Sequence, residues 1–138
     1  MDLIDTLSKE IKNLLEEKPI NRGVVSHKTK ELEKAILDTP WYSRMCDEID
    51  DPIEELISHE CYEEALLIIF AIKEKEFCSL DMGYYDSKAG ICYFKLQDYQ
   101  NAELYFYKAV SDDEDYIDDI REYVEALRNN PHITLTYF

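Results

Sequence analysis

The residue types that most often carry out catalysis are present in this chain, but their spacing fits no catalytic motif. The three histidines stand at 27, 59 and 132, and they form no ligand or triad spacing. The sequence contains no HExxH pair, no glycine-rich phosphate loop and no Gly-x-Ser-x-Gly elbow. Carboxylates are abundant, yet an acid–base pair needs surroundings that separate its two pKa values. We therefore expect a non-enzyme that needs no metal or cofactor, with a metal enzyme built on paired carboxylates as an open alternative.

The four cysteines are also spaced too widely for chemistry. Cys46, Cys61, Cys78 and Cys92 are separated by 15, 17 and 14 residues, which fits neither a zinc knuckle nor a redox dithiol. Cys61 and Cys92 stand among apolar residues, where a thiol commonly packs as a small hydrophobic group. We expect reduced, structural cysteines in a cytoplasmic protein.

Composition predicts one ordered, helical domain over 1–138. Hydrophobic residues make up 46% of the chain, against only 3 glycines and 4 prolines. The longest apolar run, Ala65 to Ile72, has eight residues and is too short to span a bilayer. The first residues are not basic, so we expect neither a secretion signal nor a membrane association.

The net charge of −16 is concentrated after residue 45. Residues 46–64 contain nine acids and residues 111–119 contain six, and neither stretch has a lysine or arginine. Such a field repels phosphates, so we exclude nucleic acid as a direct ligand. It attracts a basic protein instead. Acidic residues placed for solubility alone remain the alternative.

Apolar periodicity predicts helices flanking a central region. Helices are expected at 2–18, at 26–38 with Ser26 as the N-cap, and at 41–49. Asp51 and Pro52 predict a new helix start, and 116–129 predicts a capping helix. The tail after Pro131 alternates like a strand, but we expect it to lie extended across the helices.

The stretch 83–115 predicts two helices joined by a tight turn. Small residues recur where helices must approach closely: Gly90 and Ala102 are twelve residues apart, and Ala109 follows seven later. Tyr93 lies three residues after Gly90, and Phe106 lies four after Ala102. This pattern resembles a tetratricopeptide repeat. A degenerate copy at 46–76 is suggested by aligning Ala65 with Ala102, an offset of 37.

The resemblance implies an all-α fold, an array of antiparallel helix pairs in a superhelical stack. The helices at 1–45 and the segment 116–138 would flank the repeats at 46–115. In such repeats the first helix of each pair lines the concave surface, which implies that Asp47, Asp50, Asp51, Glu54, Tyr84, Lys88 and Phe94 face a partner. A competing acidic site comprises Asp112, Asp113 and Asp115.

These features favour a small acidic inhibitor of a basic protein, most concretely an immunity protein that neutralises a bacterial toxin such as a nuclease. A nuclease site is basic because it binds phosphates, so an acidic protein can cover it. The alternative is a chaperone or adaptor, similar to the repeat-containing chaperones of type III secretion, that holds a peptide in its concave groove. The oligomeric state, the binding face and the partner's identity do not follow from the sequence.

Overall fold

The computed structural model describes residues 2–75 and 81–138, and these residues form helices and connecting segments without strands. The helices are α1 (Leu3–Leu15), α2 (Arg22–Asp38), α3 (Met45–Ser58), α4 (Tyr62–Lys73), α5 (Met82–Lys95), α6 (Tyr99–Asp112) and α7 (Ile117–Arg128), with a 3₁₀ turn at Glu114–Tyr116. The predicted all-α class is confirmed. The chain divides into two compact units, unit 1 (Met1–Glu76) and unit 2 (Phe77–Phe138).

Unit 1 is built from α1 to α4, and each helix packs against two others. α1 and α4 both contact α2 and α3, so helices that are not adjacent in sequence form half of the pairings. Ile4, Leu7 and Ile11 recur every three or four residues along α1 and are buried. α4 buries residues on most of its circumference: Ala65, Leu66, Ile68, Ile69, Ala71 and Ile72. The apolar run at 65–72 is therefore a core helix.

Two long basic side chains join neighbouring parts of unit 1. Arg22, at the start of α2, places its Nη1 3.3 Å from the Cys61 sulfur and donates through Nη2 to the carbonyl of His59 at 3.3 Å. Lys75 donates to the carbonyls of Leu37 and Thr39, at 2.9 and 2.7 Å. A cation at the end of α2 satisfies carbonyls that the helix itself cannot pair.

Three predicted helix starts in unit 1 were wrong. The helix expected at 41–49 begins at Met45 and is the first part of α3. α2 begins at Arg22 because Asn21, rather than Ser26, caps it: the Asn21 side chain accepts the Val24 N–H at 3.2 Å. Pro52 does not start a helix but lies inside α3, where it is buried. Its missing N–H cannot bond the carbonyl of Glu48, and the burial of its ring compensates for that loss.

Unit 2 is organised by the α5–α6 hairpin, with α7 packed on both helices. A Cβ atom built on Gly90 would stand 2.5 Å from two ring carbons of Phe106, so α5 approaches α6 as closely as glycine allows. Ala102, Phe106, Ile120, Val124 and Leu127 form the buried cluster. Ile133, Leu135 and Phe138 of the tail pack against it, which agrees with an extended segment lying across the helices.

The turns after α3 and after α5 have the same geometry at equivalent positions. Glu60 and Gln97, 37 residues apart, both have a φ of 64°. The next N–H reaches back to a carbonyl five residues earlier in each turn, Cys61 to Leu56 at 2.8 Å and Asp98 to Tyr93 at 2.9 Å. This is the Schellman arrangement, which pairs the last carbonyls of a helix. The α3–α4 and α5–α6 hairpins therefore have the same type of turn, although the residue with positive φ is not glycine in either of them.

Candidate acidic binding surface

The acidic side chains of α3 follow a helical spacing along one side of the helix. Asp47 and Asp51, four residues apart, are exposed, whereas Asp50 and Glu54 are partly buried. We call these four residues the α3 acidic strip. All of them lie in unit 1.

The α3 acidic strip is not free of nearby cations, although its own stretch of sequence contains no base. An open cavity of about 230 Å³ lies beside Asp47 and Asp51, and α1 forms part of its wall. Lys9 and Lys12 line it from α1, and Arg44 lines it from the residue that precedes α3. Folding therefore offsets part of the charge that the sequence concentrates at 46–64. The cations that line this cavity make the net charge around Asp47 and Asp51 less negative than the local residue count implies, although Lys9 itself pairs with Asp5 at 3.1 Å.

One end of α3 carries a carboxyl–phenol cluster. The Tyr42 hydroxyl donates to Glu48 and lies 3.3 Å from Asp2 Oδ1. Desolvation is the main cause that raises the pKa of Glu48, and Asp2 and Asp5 add to it by charge. The pKa of Tyr42 is raised as well, by desolvation first and then by the hydrogen bond and charge of Glu48. The Asp5 N–H lowers the pKa of Asp2, which caps α1. This cluster joins the start of α1 to α3.

The competing acidic site, in unit 2, has structural roles. Asp112 Oδ2 accepts the Gly83 N–H at 3.0 Å, in the first turn of α5. Asp113 caps the 3₁₀ turn by accepting the Asp115 N–H at 2.9 Å. Carboxylates at helix starts pair with N–H groups that have no partner in the helix. Helix capping therefore accounts for the presence of Asp112 and Asp113, and Asp115 is an exposed acid beside them.

The predicted aromatic and basic residues of α5 contact other parts of unit 2 or one another. Lys88 Nζ lies 5.5 Å from the ring centroid of Tyr84, in a cation–π contact. The Phe94 ring packs edge-on against Tyr99 and Tyr123, at 5.6 and 5.2 Å between centroids. Phe94 thus helps to hold α7 on the hairpin. Tyr84 and Lys88 remain partly exposed on α5.

Sequence reasoning missed a buried carboxylate in unit 2. Glu103 is only 4% exposed. Its carboxylate accepts the backbone N–H groups of Thr136, Tyr137 and Phe138, at distances between 2.6 and 3.2 Å. A signal did exist: Glu103 lies three residues before Phe106 on α6, within the side that faces the core. An acid in that register indicates a specific pairing.

In the described ranges, no helix has the length and apolar content that crossing a membrane requires. Within the same residues, histidine, cysteine and carboxylate side chains form no group of three suited to hold a metal ion. Comparisons with protein families, with curated proteins and with solved structures find no match to this chain.

Proposed function

We propose that this protein is an acidic inhibitor of a basic protein, and most concretely an immunity protein that neutralises a basic bacterial toxin such as a nuclease. The net charge of −16 supports the proposal, because it gives a strong attractive field toward a basic surface. The exposed carboxylates of Asp47 and Asp51, one turn apart on α3, provide a surface on which such a partner can dock.

The observation that carries the proposal is the distribution of charge. Residues 1–45 contain equal numbers of acids and bases, so the whole net charge comes from 46–138. Exposed carboxylates that repel one another do not favour folding, and a basic partner would relieve that repulsion. Two observations narrow the choice of docking surface. Lys9, Lys12 and Arg44 lie near the α3 acidic strip. Asp112 and Asp113 already accept backbone N–H groups as caps. We therefore expect the partner to contact Asp47 and Asp51, the two exposed members of the α3 acidic strip.

The first test is functional. If the chain is an immunity protein, the gene immediately upstream should encode a toxin, and the purified chain should abolish that toxin's activity at a one-to-one ratio. A gene beside secretion or translocator genes, together with binding of an extended peptide, would favour the chaperone alternative. Failure of the upstream gene product to bind would contradict the inhibitor proposal.

The second test locates the surface. Asp47→Lys with Asp51→Lys should slow association with the toxin by about tenfold or more at low salt, while far-UV circular dichroism stays unchanged. The matched control is Glu122→Lys with Glu125→Lys on the exposed side of α7, which makes the same change in net charge. Association of the wild type should itself slow as salt rises, because screening acts beyond about 8 Å at physiological ionic strength. Equal slowing by both pairs of substitutions would mean that net charge alone matters and that the α3 acidic strip is not the docking surface.

A further inference from the structure

The Glu103 carboxylate is buried, and the hydrogen bonds that it accepts come from neutral backbone groups. Its hydrogen-bond donors are three successive backbone N–H groups of the tail, and no ion pair to it occurs within the described residues. Such a nest of N–H groups is an arrangement that commonly binds anions. These donors contribute only partial positive charges, and the residue they surround is 4% exposed.

The donors are divided unevenly between the two oxygens. Oε2 lies within hydrogen-bond distance of the N–H groups of Thr136, Tyr137 and Phe138, at 2.8, 2.6 and 3.2 Å. Oε1 accepts from Thr136 alone, at 2.9 Å. A carboxylate offers about four acceptor positions over its two oxygens. Oε1 therefore keeps the capacity to accept a further donor.

Glu103 also lines an open cavity. The cavity measures about 330 Å³, and its walls are formed by Tyr99, Gln100, Glu103, His132, Ile133, Thr134 and Thr136. In the described part of the chain this lining includes one carboxylate and neither a lysine nor an arginine. Tyr99 contributes an aromatic ring, and Gln100, Thr134 and Thr136 contribute polar groups. A buried carboxylate, an aromatic ring and hydrogen-bonding side chains together form a site for an organic cation.

We propose that this cavity binds a guanidinium or ammonium group, whose N–H donates to Glu103 Oε1 while its flat or apolar side rests on Tyr99. The Glu103 carboxylate supplies the attraction, and the tail, which the same carboxylate holds, forms part of the cavity wall. Two sources share this chemistry: a small organic cation, or the arginine or lysine side chain of a protein. The site lies wholly in unit 2, and it goes beyond the proposed function.

The test titrates the ¹⁵N-labelled full chain with L-argininamide and follows backbone amide shifts by NMR. Saturable shifts are expected at 99–103 and 132–136. N-acetyl-L-citrullinamide carries neither the guanidinium nor the α-ammonium of L-argininamide, so it should produce shifts at least about tenfold weaker at equal concentration. An equal response to both compounds, or shifts that never saturate, would overturn the proposal.

A substitution that leaves Glu103 intact keeps the test independent of folding. Gln100→Lys places an ammonium in the cavity, so it should reduce the affinity for L-argininamide by about tenfold or more. The matched control is Gln97→Lys, which changes the net charge equally but lies in the turn before α6, outside the cavity lining. If both variants weaken binding alike, the cation responds only to net charge and the site is refuted.

Glu103→Gln removes the carboxylate that both holds the tail and is proposed to bind the cation. Hydrogen exchange at the amides of 136–138 should accelerate, because an amide oxygen is a weaker acceptor than a carboxylate, and the affinity for L-argininamide should fall as well. Unchanged affinity in this variant would contradict the proposal.

The source is decided by a blocked peptide, N-acetyl-Gly-Arg-Gly-amide. Shifts at the same residues as with L-argininamide support a protein side chain as the natural ligand, and binding of L-argininamide alone supports a small cation. None of these measurements needs a toxin, so failure here leaves the inhibitor proposal standing, and the reverse also holds.

Discussion

Gly90 gives the sharpest test of the α5–α6 packing. In Gly90→Ala the new Cβ would lie 2.5 Å from Cδ1 and Cε1 of Phe106, where ordinary van der Waals contact begins at 3.4 Å. The ring must therefore retreat by roughly 1 Å, yet Phe106 is completely buried. Its other neighbours include Tyr123, stacked at 5.8 Å between ring centroids. Overpacking of this kind costs about 1–3 kcal/mol.

Helix propensity acts in the opposite direction and has to be separated from the steric cost. Alanine is favoured over glycine inside a helix by about 1 kcal/mol. Gly23 supplies the control, because a Cβ there would meet only Asn21 Oδ1, at 3.5 Å. Gly23→Ala should leave the free energy of unfolding unchanged or raise it slightly. We expect Gly90→Ala to be less stable than Gly23→Ala by about 1–3 kcal/mol, and Gly90→Leu to be destabilised by at least about 2 kcal/mol.

The assay is urea unfolding followed by far-UV circular dichroism, with the fluorescence of Trp41 recorded alongside as a probe of unit 1. Coincident transitions would justify a two-state fit; separate ones require a fit to two transitions. Phe106→Leu should cost less in the Gly90→Ala background than in the wild type, since the smaller side chain relieves the clash. The reasoning is refuted if Gly90→Ala is as stable as Gly23→Ala, or if the double-mutant cycle shows no coupling.

Three further predictions concern the turns, the thiols and pH. Glu60→Gly and Gln97→Gly should each raise the free energy of unfolding by about 1 kcal/mol in urea titrations, because a positive φ strains residues that carry a Cβ. Cys92 should react with iodoacetamide at pH 8 far more slowly than Cys46, by site-resolved mass spectrometry, because burial raises the Cys92 pKa to about 12. Glu48→Gln should gain stability relative to the wild type as pH rises from 4 to 7. Burial raises the Glu48 pKa above its ordinary value of 4.5, so the wild-type native state is stabilised by a proton on Glu48 at low pH and loses that stabilisation as the pH rises.

Controls make these three outcomes decisive. Gln97→Val should be destabilising, and a stabilising valine would contradict the role of the positive φ. Equal labelling rates for the two cysteines under native conditions would contradict the burial of Cys92, whereas equal rates in urea are expected. Glu122→Gln, at an exposed position of α7, should show no comparable pH-dependent gain, and a matching gain there would attribute the effect to net charge.

The sequence predicted the parts of the fold that depend on local pattern. The spacing of Ile4, Leu7 and Ile11 predicted α1, and Gly90 with Ala102 predicted a close helix pair, because both are periodic over short distances. The start of α2 and the place of Pro52 were missed. Ser26 and Asn21 are both good N-caps, so the local pattern could not decide where α2 begins. Pro52 after Asp51 has the pattern of a helix start, but the burial of its ring inside α3 outweighs that local rule.

The candidate surface was less predictable, because charge compensation depends on tertiary structure. Counting residues at 46–64 could not show that Lys9 and Lys12 of α1 would lie beside Asp47 and Asp51. Nor could the run of acids at 111–119 show that Asp112 would reach Gly83, 29 residues earlier. Positions in sequence give the number of charges, whereas only the packing of helices determines which of them meet a partner.

The pairing of helices within each unit also has a consequence for how the chain acquires its structure. In unit 2 the main pairing joins α5 to the next helix, α6, and so closes a short loop. In unit 1, α2 pairs with α4 and α1 pairs with α3, so each of these contacts must close over an intervening helix. Local pairing forms faster than pairing between distant segments. During synthesis, the hairpin of unit 2 can therefore form as soon as α6 is complete. In unit 1, α1 can pair with α2, but the faces of α1 and α2 that meet α3 and α4 stay uncovered until those helices are made.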